Sequence, residues 1–259
     1  IESLYKNHNG LFDKFSLLYT YSDEIYKNGY DLLKESFPDV EFVNQGDYYE
    51  DVKRLVDINY YLTAFFTDDD IMYSPVPVNQ AVVEQVFIEN AAVGCLSLRL
   101  GLNTVSQDPY IQSHTQPPSS GFSYIYDNKF IAWNCRDCPP YMNFGYPMSV
   151  DGHIFRTSEL ANVISQCKFK NPNQQEIAMS AKMDMINPFM TAFPQSVIIN
   201  TPINRVQDTC MNRAGEEHGQ TPESMVAKYL AGEKMDLNSL NGIDIVGCHQ
   251  EIDIKWTTK

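Results

Sequence analysis

The chain is short of positive charge. Against 33 Asp and Glu it sets only 19 Lys and Arg, for a formal charge of −14 and a pI near 4.7. No basic stripe runs along it, and a nucleic-acid backbone needs one, so the composition excludes nucleic acid as a partner. Cysteine is sparse too. The six thiols, Cys95, Cys135, Cys138, Cys167, Cys210 and Cys248, are too few in a chain of this length for a disulfide framework, and reduced thiols are expected. No run approaches the ~20 apolar residues that span a bilayer, and no charged-then-apolar leader opens the sequence. The expectation is a soluble, cytoplasmic chain with no transmembrane segment. It also lacks a phosphate-cradling G-x-x-x-x-G-K-[ST] loop, which argues against a P-loop enzyme, and it carries no internal repeat and no low-complexity segment.

Hydrophobic residues make up 43% of the 259 positions, enough for the core of one domain. From Asp13 to Asp70 strand-like and helix-like segments alternate, the pattern of βαβ units in an α/β fold. Phe15–Tyr21 reads as a strand. Ser22 and Asp23 can cap a helix with Ile25, Leu32 and Leu33 at helical spacing, ending near Pro38. Val40–Val43 is a second strand. Asp47 with Glu50 resembles a capping box, followed by an apolar face of Val52, Leu55 and Val56. Helices are further expected over Asn79–Glu89, Ser158–Gln166, Asn173–Ile186 and Pro222–Ala231. Strands are expected over Ala92–Leu98, Gly152–Arg156, Ser196–Asn200, Ile243–Val246 and Glu251–Ile254. Phe122–Tyr126 and Phe130–Trp133 flank Asp127-Asn128-Lys129 as a hairpin, and Ser106–Gly121 reads as a loop.

The chemistry concentrates where the hydrophobic strand Tyr60–Phe66 runs into Asp68-Asp69-Asp70. Three adjacent carboxylates repel one another unless a cation or good hydration offsets the repulsion. Ligands of open α/β sheets gather beyond the carboxyl ends of the strands, and hard divalent cations need oxygen ligands there. The simpler alternative is a solvated acidic turn.

With the alternation that precedes it, this motif resembles the DxD-type motif of GT-A glycosyltransferases, in a form close to the family-2-like enzymes. The resemblance extends more loosely over most of the chain. It implies a GT-A (Rossmann-like) three-layer α/β/α sandwich with a mixed, mainly parallel sheet. It also implies a single domain, residues 1–100 holding a nucleotide-diphospho-sugar donor and 101–259 a glycan or lipid-linked acceptor, with Mn²⁺ or Mg²⁺ bridging the donor diphosphate. By the same resemblance Asp68 and Asp69 face the donor, Asp70 is a metal ligand, and His249 in a late segment completes the metal's coordination, which favours manganese. Arg99, and Arg205 in a loop that closes over the donor, would bind phosphates. Asp151, before Gly152 and His153, is the leading candidate for the base of an inverting reaction. The Glu-Asp pair common in family-2 enzymes is not found where expected, so Glu159 and Glu176 remain alternatives.

Enzymes of that kind open with a strand and then a helix. The start Ile1–Asn7 resembles only the end of such a helix, so a first strand is expected to be lacking and a sheet edge exposed. Two other readings stay open, a catalytically silent nucleotide- or carbohydrate-binding domain and a metal-dependent phosphotransferase or hydrolase. Cys135-x-x-Cys138 lacks a second pair, and Cys167, Cys210, His114 and His153 are its conceivable partners in a zinc site. The aromatic run from Phe122 to Tyr146 suits either a sugar-stacking surface or core packing.

Overall fold

The computed structural model describes residues 1–108, 113–114, 118–140, 142–204 and 214–258. Helix starts follow the side chains that can cap them. In α2 (Glu24–Ser36) Asp23 accepts from the Ile25 and Tyr26 amides, in α3 (Tyr48–Leu55) Asp47 accepts from Glu50, and in α4 (Gln80–Glu89) Asn79 accepts from Val82. Asn171 caps α6 (Pro172–Ser180), and Thr221 with Ser224 forms a reciprocal capping box on α7 (Pro222–Leu230). Asp47 is a simple cap. The Glu50 carboxylate turns to Lys53, and Asp51 takes the Gly46 amide. Two further helices are α1 (Glu2–Asn7) and α5 (Thr157–Ser165).

Strands β1 (Ser16–Tyr19) and β2 (Glu41–Asn44), joined by α2, pair in parallel as a two-stranded sheet. The central sheet has six strands, ordered β3 (Leu62–Phe65), β10 (His153–Arg156), β5 (Val93–Ser97), β11 (Phe189–Ala192), β9 (Phe130–Asn134) and β8 (Ser123–Ile125). Only β5 and β11 pair in parallel within it, yet β3, β5, β11 and β8 all point the same way, with β10 and β9 reversed between them. Two smaller pairs are β4 (Asp70–Met72) with β12 (Ile198–Asn200), and β13 (Glu233–Met235) with β14 (Trp256–Thr258).

Alternation along the strands sends successive side chains to opposite faces. Cys95, Phe155, Ile131 and Trp133 pack on one face with Tyr49 and Val52 of α3, Leu160 and Val163 of α5 and Met179 of α6. Leu96, Ile154 and Phe130 pack on the other with Leu4 of α1 and Val83, Val86 and Phe87 of α4. The result is a three-layer α/β arrangement, as the sequence implied. Its two halves also bear on one another directly. Arg156 at the end of β10 donates to the Phe87, Asn90 and Val93 carbonyls and so closes the carboxyl end of α4.

Three expectations are corrected. The tail segments Ile243–Val246 and Glu251–Ile254 form no strands. Ile245, Ile252 and Ile254 alternate because one side packs on Ile71, Ile199 and Leu240, while the closing pair is β13 with β14. The segment expected as a loop from Ser106 contains two short paired strands, β6 (Ser106–Asp108) and β7 (Ser113–His114). Helix α6 stops at Ser180, and the chain continues as a 3-10 turn over Met183–Met185. The hairpin does form, with Tyr126, Asp127 and Asn128 all at positive φ in its turn. Among the described residues no helix is long and apolar enough to cross a membrane.

Candidate active site

Past Phe65 the chain leaves β3, turns through Thr67–Asp70 and enters β4. The turn is closed twice, by the Asp70 amide on the Thr67 carbonyl (3.2 Å) and by the Thr67 amide on Asp70 Oδ2 (3.0 Å). It leaves Asp68 exposed at the rim, Asp69 half-buried and Asp70 buried. Opposite it, Asn200 at the end of β12 pairs with Asp70 in the ladder. The Asn200 Nδ2 donates to Asp69 Oδ1 (2.7 Å), Asp70 Oδ1 (3.3 Å) and Thr67 Oγ1 (3.3 Å).

Asp151 reaches the same turn from the other side of β3. Gly152, at φ +65°, donates its amide to the Phe65 carbonyl, and a Cβ there would stand 3.0 Å from Ile198 Cδ1. This left-handed residue aims Asp151 at the carboxylate turn. Asp151 Oδ1 accepts from Thr67 Oγ1 (3.0 Å) and Oδ2 from Arg99 Nη1 (3.0 Å). Arg99 itself lies just past β5 and is buried, and the same Nη1 meets His249 Nε2 at 3.1 Å. Its Nε–H, also buried, has no acceptor among the described residues.

Electrostatics follow from this crowding. Burial first, then the negative charges of Asp151 and Asp68, push the Asp69 carboxyl up to about 7. Burial, Asp151 and Asp69 raise Asp70 well above the usual carboxylate range. Desolvation and Asp151 push Asp68 the same way, an effect that water at its exposed rim screens. Burial works against the Arg99 charge, but the acidic groups around it, Cys248, Asp151, Glu176 and Asp70, more than offset that and raise its value. Glu176 of α6 lies behind Asp151. Its Oε1 accepts from Ser149 Oγ (2.7 Å) and the Val150 amide (2.9 Å), and burial followed by Asp151 raises it.

Five residues expected at the site, Asp69, Asp70, Asp151, Arg99 and His249, are thus joined in one hydrogen-bonded cluster, with Asp68 at its rim. Arg205 lies outside the described residues, as do Cys210 and the side chain of His114. Glu159 is engaged elsewhere, by Arg156 at 3.3 Å. His153 is fully buried and holds the Pro147 carbonyl through Nδ1 (3.0 Å). Burial, with the Arg99 charge, drives it down to about 3, so it stays neutral and structural. Cys135 and Cys138 are buried free thiols, each pushed up to about 11 by burial. That makes them poor nucleophiles. Phe122, Trp133 and Phe144 form edge-to-face contacts in the core, and Trp133 Nε1 donates to the Phe144 carbonyl.

Asn200 was not legible in the sequence. An asparagine ending a short apolar strand carries no signal by itself, and only the register with Asp70 reveals it. Among the described residues no three Asp, Glu, His or Cys side chains stand around one point as ligands of a metal ion. The donor set nonetheless has the chemistry of a hard-cation site. Two carboxyl groups, hard oxygen donors, are held side by side by Asn200 and raised by burial and by the charge of Asp151, a condition that a divalent cation relieves.

No known family's model matches the chain. Part of it is similar to a curated protein, the bifunctional glycosyltransferase pgtA of Dictyostelium discoideum, at 28% identity over 171 residues. The alignment takes in 62% of this chain but only 22% of the relative, so the chain spans about a fifth of that protein's length.

Proposed function

We propose that this chain transfers a sugar from a nucleotide-diphospho-sugar donor to a hydroxyl of a glycan or lipid-linked acceptor, with inversion and with the help of Mn²⁺ or Mg²⁺. The observation that carries the reading is the convergence of the Asp68–Asp70 turn, Asp151 and Arg99 at the end of β3. The likeness to a glycosyltransferase agrees with it. Asp70 and Asp69 are the residues that would hold the cation. When bound, it supplies positive charge against the charge that builds on the departing diphosphate.

The remaining roles belong to the chain's own side chains. Asp68, at the exposed rim, would meet the nucleoside. Arg99 offers a fixed, buried guanidinium, its Nε–H without an acceptor among the described residues, as positive charge beside the turn where the donor's phosphates would lie. Asp151, tethered to the carboxylate turn through Thr67, accepts the proton of the attacking hydroxyl, because that hydroxyl becomes acidic only as its bond to the sugar forms. Glu176, through Ser149 and the Val150 amide, backs the segment that carries this carboxylate.

The test is to titrate nucleoside diphosphates and nucleotide sugars into the purified chain by calorimetry, with Mn²⁺ and with EDTA, and to follow donor hydrolysis and transfer. Manganese-dependent binding of one nucleotide, lost in Asp70→Ala, supports the reading. Turnover that Asp151→Asn abolishes while donor binding persists supports the assignment of the base. If Glu176→Gln does so instead, the base is Glu176. Tight donor binding without any turnover would point to the silent binding domain, and binding indifferent to EDTA would remove the cation from the proposal.

A further inference from the structure

We infer that Asn200, oriented by His249, is a positioning residue that fixes the spacing of the Asp69 and Asp70 carboxyl groups for a cation. This rests on reading those carboxylates as the cation-binding groups. The backbone of Asn200 is held on both sides. It is laddered to Asp70, its amide donates to the Cys248 carbonyl (3.0 Å), and its carbonyl accepts from the Gln250 amide (3.0 Å). With the backbone so fixed and the residue buried, the side chain is held by its own bonds to Thr67, Asp69, Asp70 and His249.

The direction of that amide is set from a distance. A guanidinium only donates, so the contact of Arg99 Nη1 with His249 Nε2 makes Nε2 an acceptor and leaves the ring proton on Nδ1. His249 Nδ1 then donates to Asn200 Oδ1 (3.3 Å), which turns the NH₂ group of Asn200 toward both carboxyl groups. A reversed amide would set its oxygen against two carboxylates. Asn200 orders the pair while bringing no charge of its own, so it does not compete with a cation for the two carboxyl groups. A lysine or arginine there would compete with that cation. Both ring nitrogens of His249 are engaged in this chain of bonds, so its part is to orient Asn200 rather than to ligate metal.

Two measurements test this. A long-range proton–nitrogen spectrum of the metal-free chain reports which imidazole nitrogen of His249 carries the proton. Calorimetric titration with Mn²⁺ alone then compares the wild-type chain with Asn200→Ala, His249→Ala and His249→Gln, each checked for folding by thermal melting. Supporting contacts of this kind change metal affinity by about 10–100-fold. Asn200→Ala and His249→Ala are expected to fall in that range. His249→Gln, whose amide can accept from Arg99 and donate to Asn200, stays within a few-fold of wild type. A proton on Nε2, wild-type affinity in Asn200→Ala, or an imidazole nitrogen coupled to bound Mn²⁺ in the spin-echo spectrum overturns the inference while leaving the cation site intact. A wild-type chain that takes up no Mn²⁺ overturns the cation reading and this inference with it.

Discussion

Arg99 is the point at which the structure is most exposed to test. Its side chain is 3% accessible and that of Asp151 12%, and the two meet at 3.0 Å. Unit charges about 4 Å apart attract by roughly 4 kcal/mol at an effective dielectric near 20. Much of that attraction offsets the cost of taking both ions out of water. Removing the cation alone leaves Asp151 buried and unpaired, which costs about 3–5 kcal/mol. Arg99→Met keeps most of the side-chain volume and deletes the charge, so it is expected to destabilise the chain by about that amount. For a protein of this size that is roughly a 6–20 °C fall in melting temperature.

The companion variant is Asp151→Asn. Replacing both partners of a buried pair is often close to neutral, so the double variant is expected to recover much of the loss seen in Arg99→Met. Urea unfolding of the four proteins, followed by Trp fluorescence, gives the coupling directly. The sign with pH is also fixed. Without Arg99 the neighbouring Asp70 and Glu176 lose the charge that lowers them, so each holds its proton still more tightly in the folded state. An acid with a raised folded value contributes stability at low pH and loses it as pH rises. The Arg99→Met deficit is therefore larger at pH 8 than at pH 5. A loss below about 1 kcal/mol, or a double variant as unstable as the sum of the single ones, would refute the claim that this ion pair organises the site.

Asp69→Asn removes a carboxyl whose folded value is about 7 against an ordinary 3.8. It should leave stability near pH 4 almost unchanged and raise it at pH 8. The gain is about 2 kcal/mol once the full 3-unit shift is discounted for a half-buried group. Comparing the variant with wild type cancels the opposed contribution of His153, whose folded value near 3 favours stability as pH rises. Equal stabilities at pH 8 would contradict it. Gly152→Ala forces a side chain into a left-handed residue and against Ile198. It should cost about 1–2 kcal/mol for the backbone alone and weaken donor binding more than a surface Gly→Ala such as Gly10→Ala, read by melting and calorimetry on the same samples. Arg156→Met strips the donors from three carbonyls, those of Phe87 and Asn90 at the end of α4 and of Val93 at the start of β5, and should cost about 2–4 kcal/mol. Because Arg156 touches none of the carboxylate cluster, donor affinity should not change, and a parallel loss of affinity would show the two regions to be coupled.

Local signals in the sequence reached as far as local physics does. Caps at Asp23 and Asp47 start helices because a short oxygen-bearing side chain meets free amides only two or three residues ahead; Asn171 does the same for α6, two residues before the start expected from the sequence. The Asp127-Asn128 turn forms because such residues tolerate positive φ. The tail misled because alternation reports one buried side, and a sheet is not the only way to bury it. Ile245, Ile252 and Ile254 pack on Ile71 and Ile199 with no ladder of their own. The carboxylate turn was visible because three acids after an apolar strand are unusual at any distance scale.

The sequence pointed to Asp151 and His249 as site residues but withheld Thr67, Asn200 and the contacts that join the four. Thr67, Asp151, Asn200 and His249 lie far apart in the chain, and each alone is an ordinary polar residue at the end of an element. They meet because β3 and β10 pair with His153 opposite Phe65, β4 and β12 pair with Asn200 opposite Asp70, and His249 bridges to Asn200. A one-residue slip in either ladder would turn these side chains to the opposite face. The site is thus a property of register, and register is fixed by burial of Ile154, Phe155, Ile198 and Ile199. Core substitutions that preserve volume but loosen these strands should therefore reach the carboxylates before they unfold the chain.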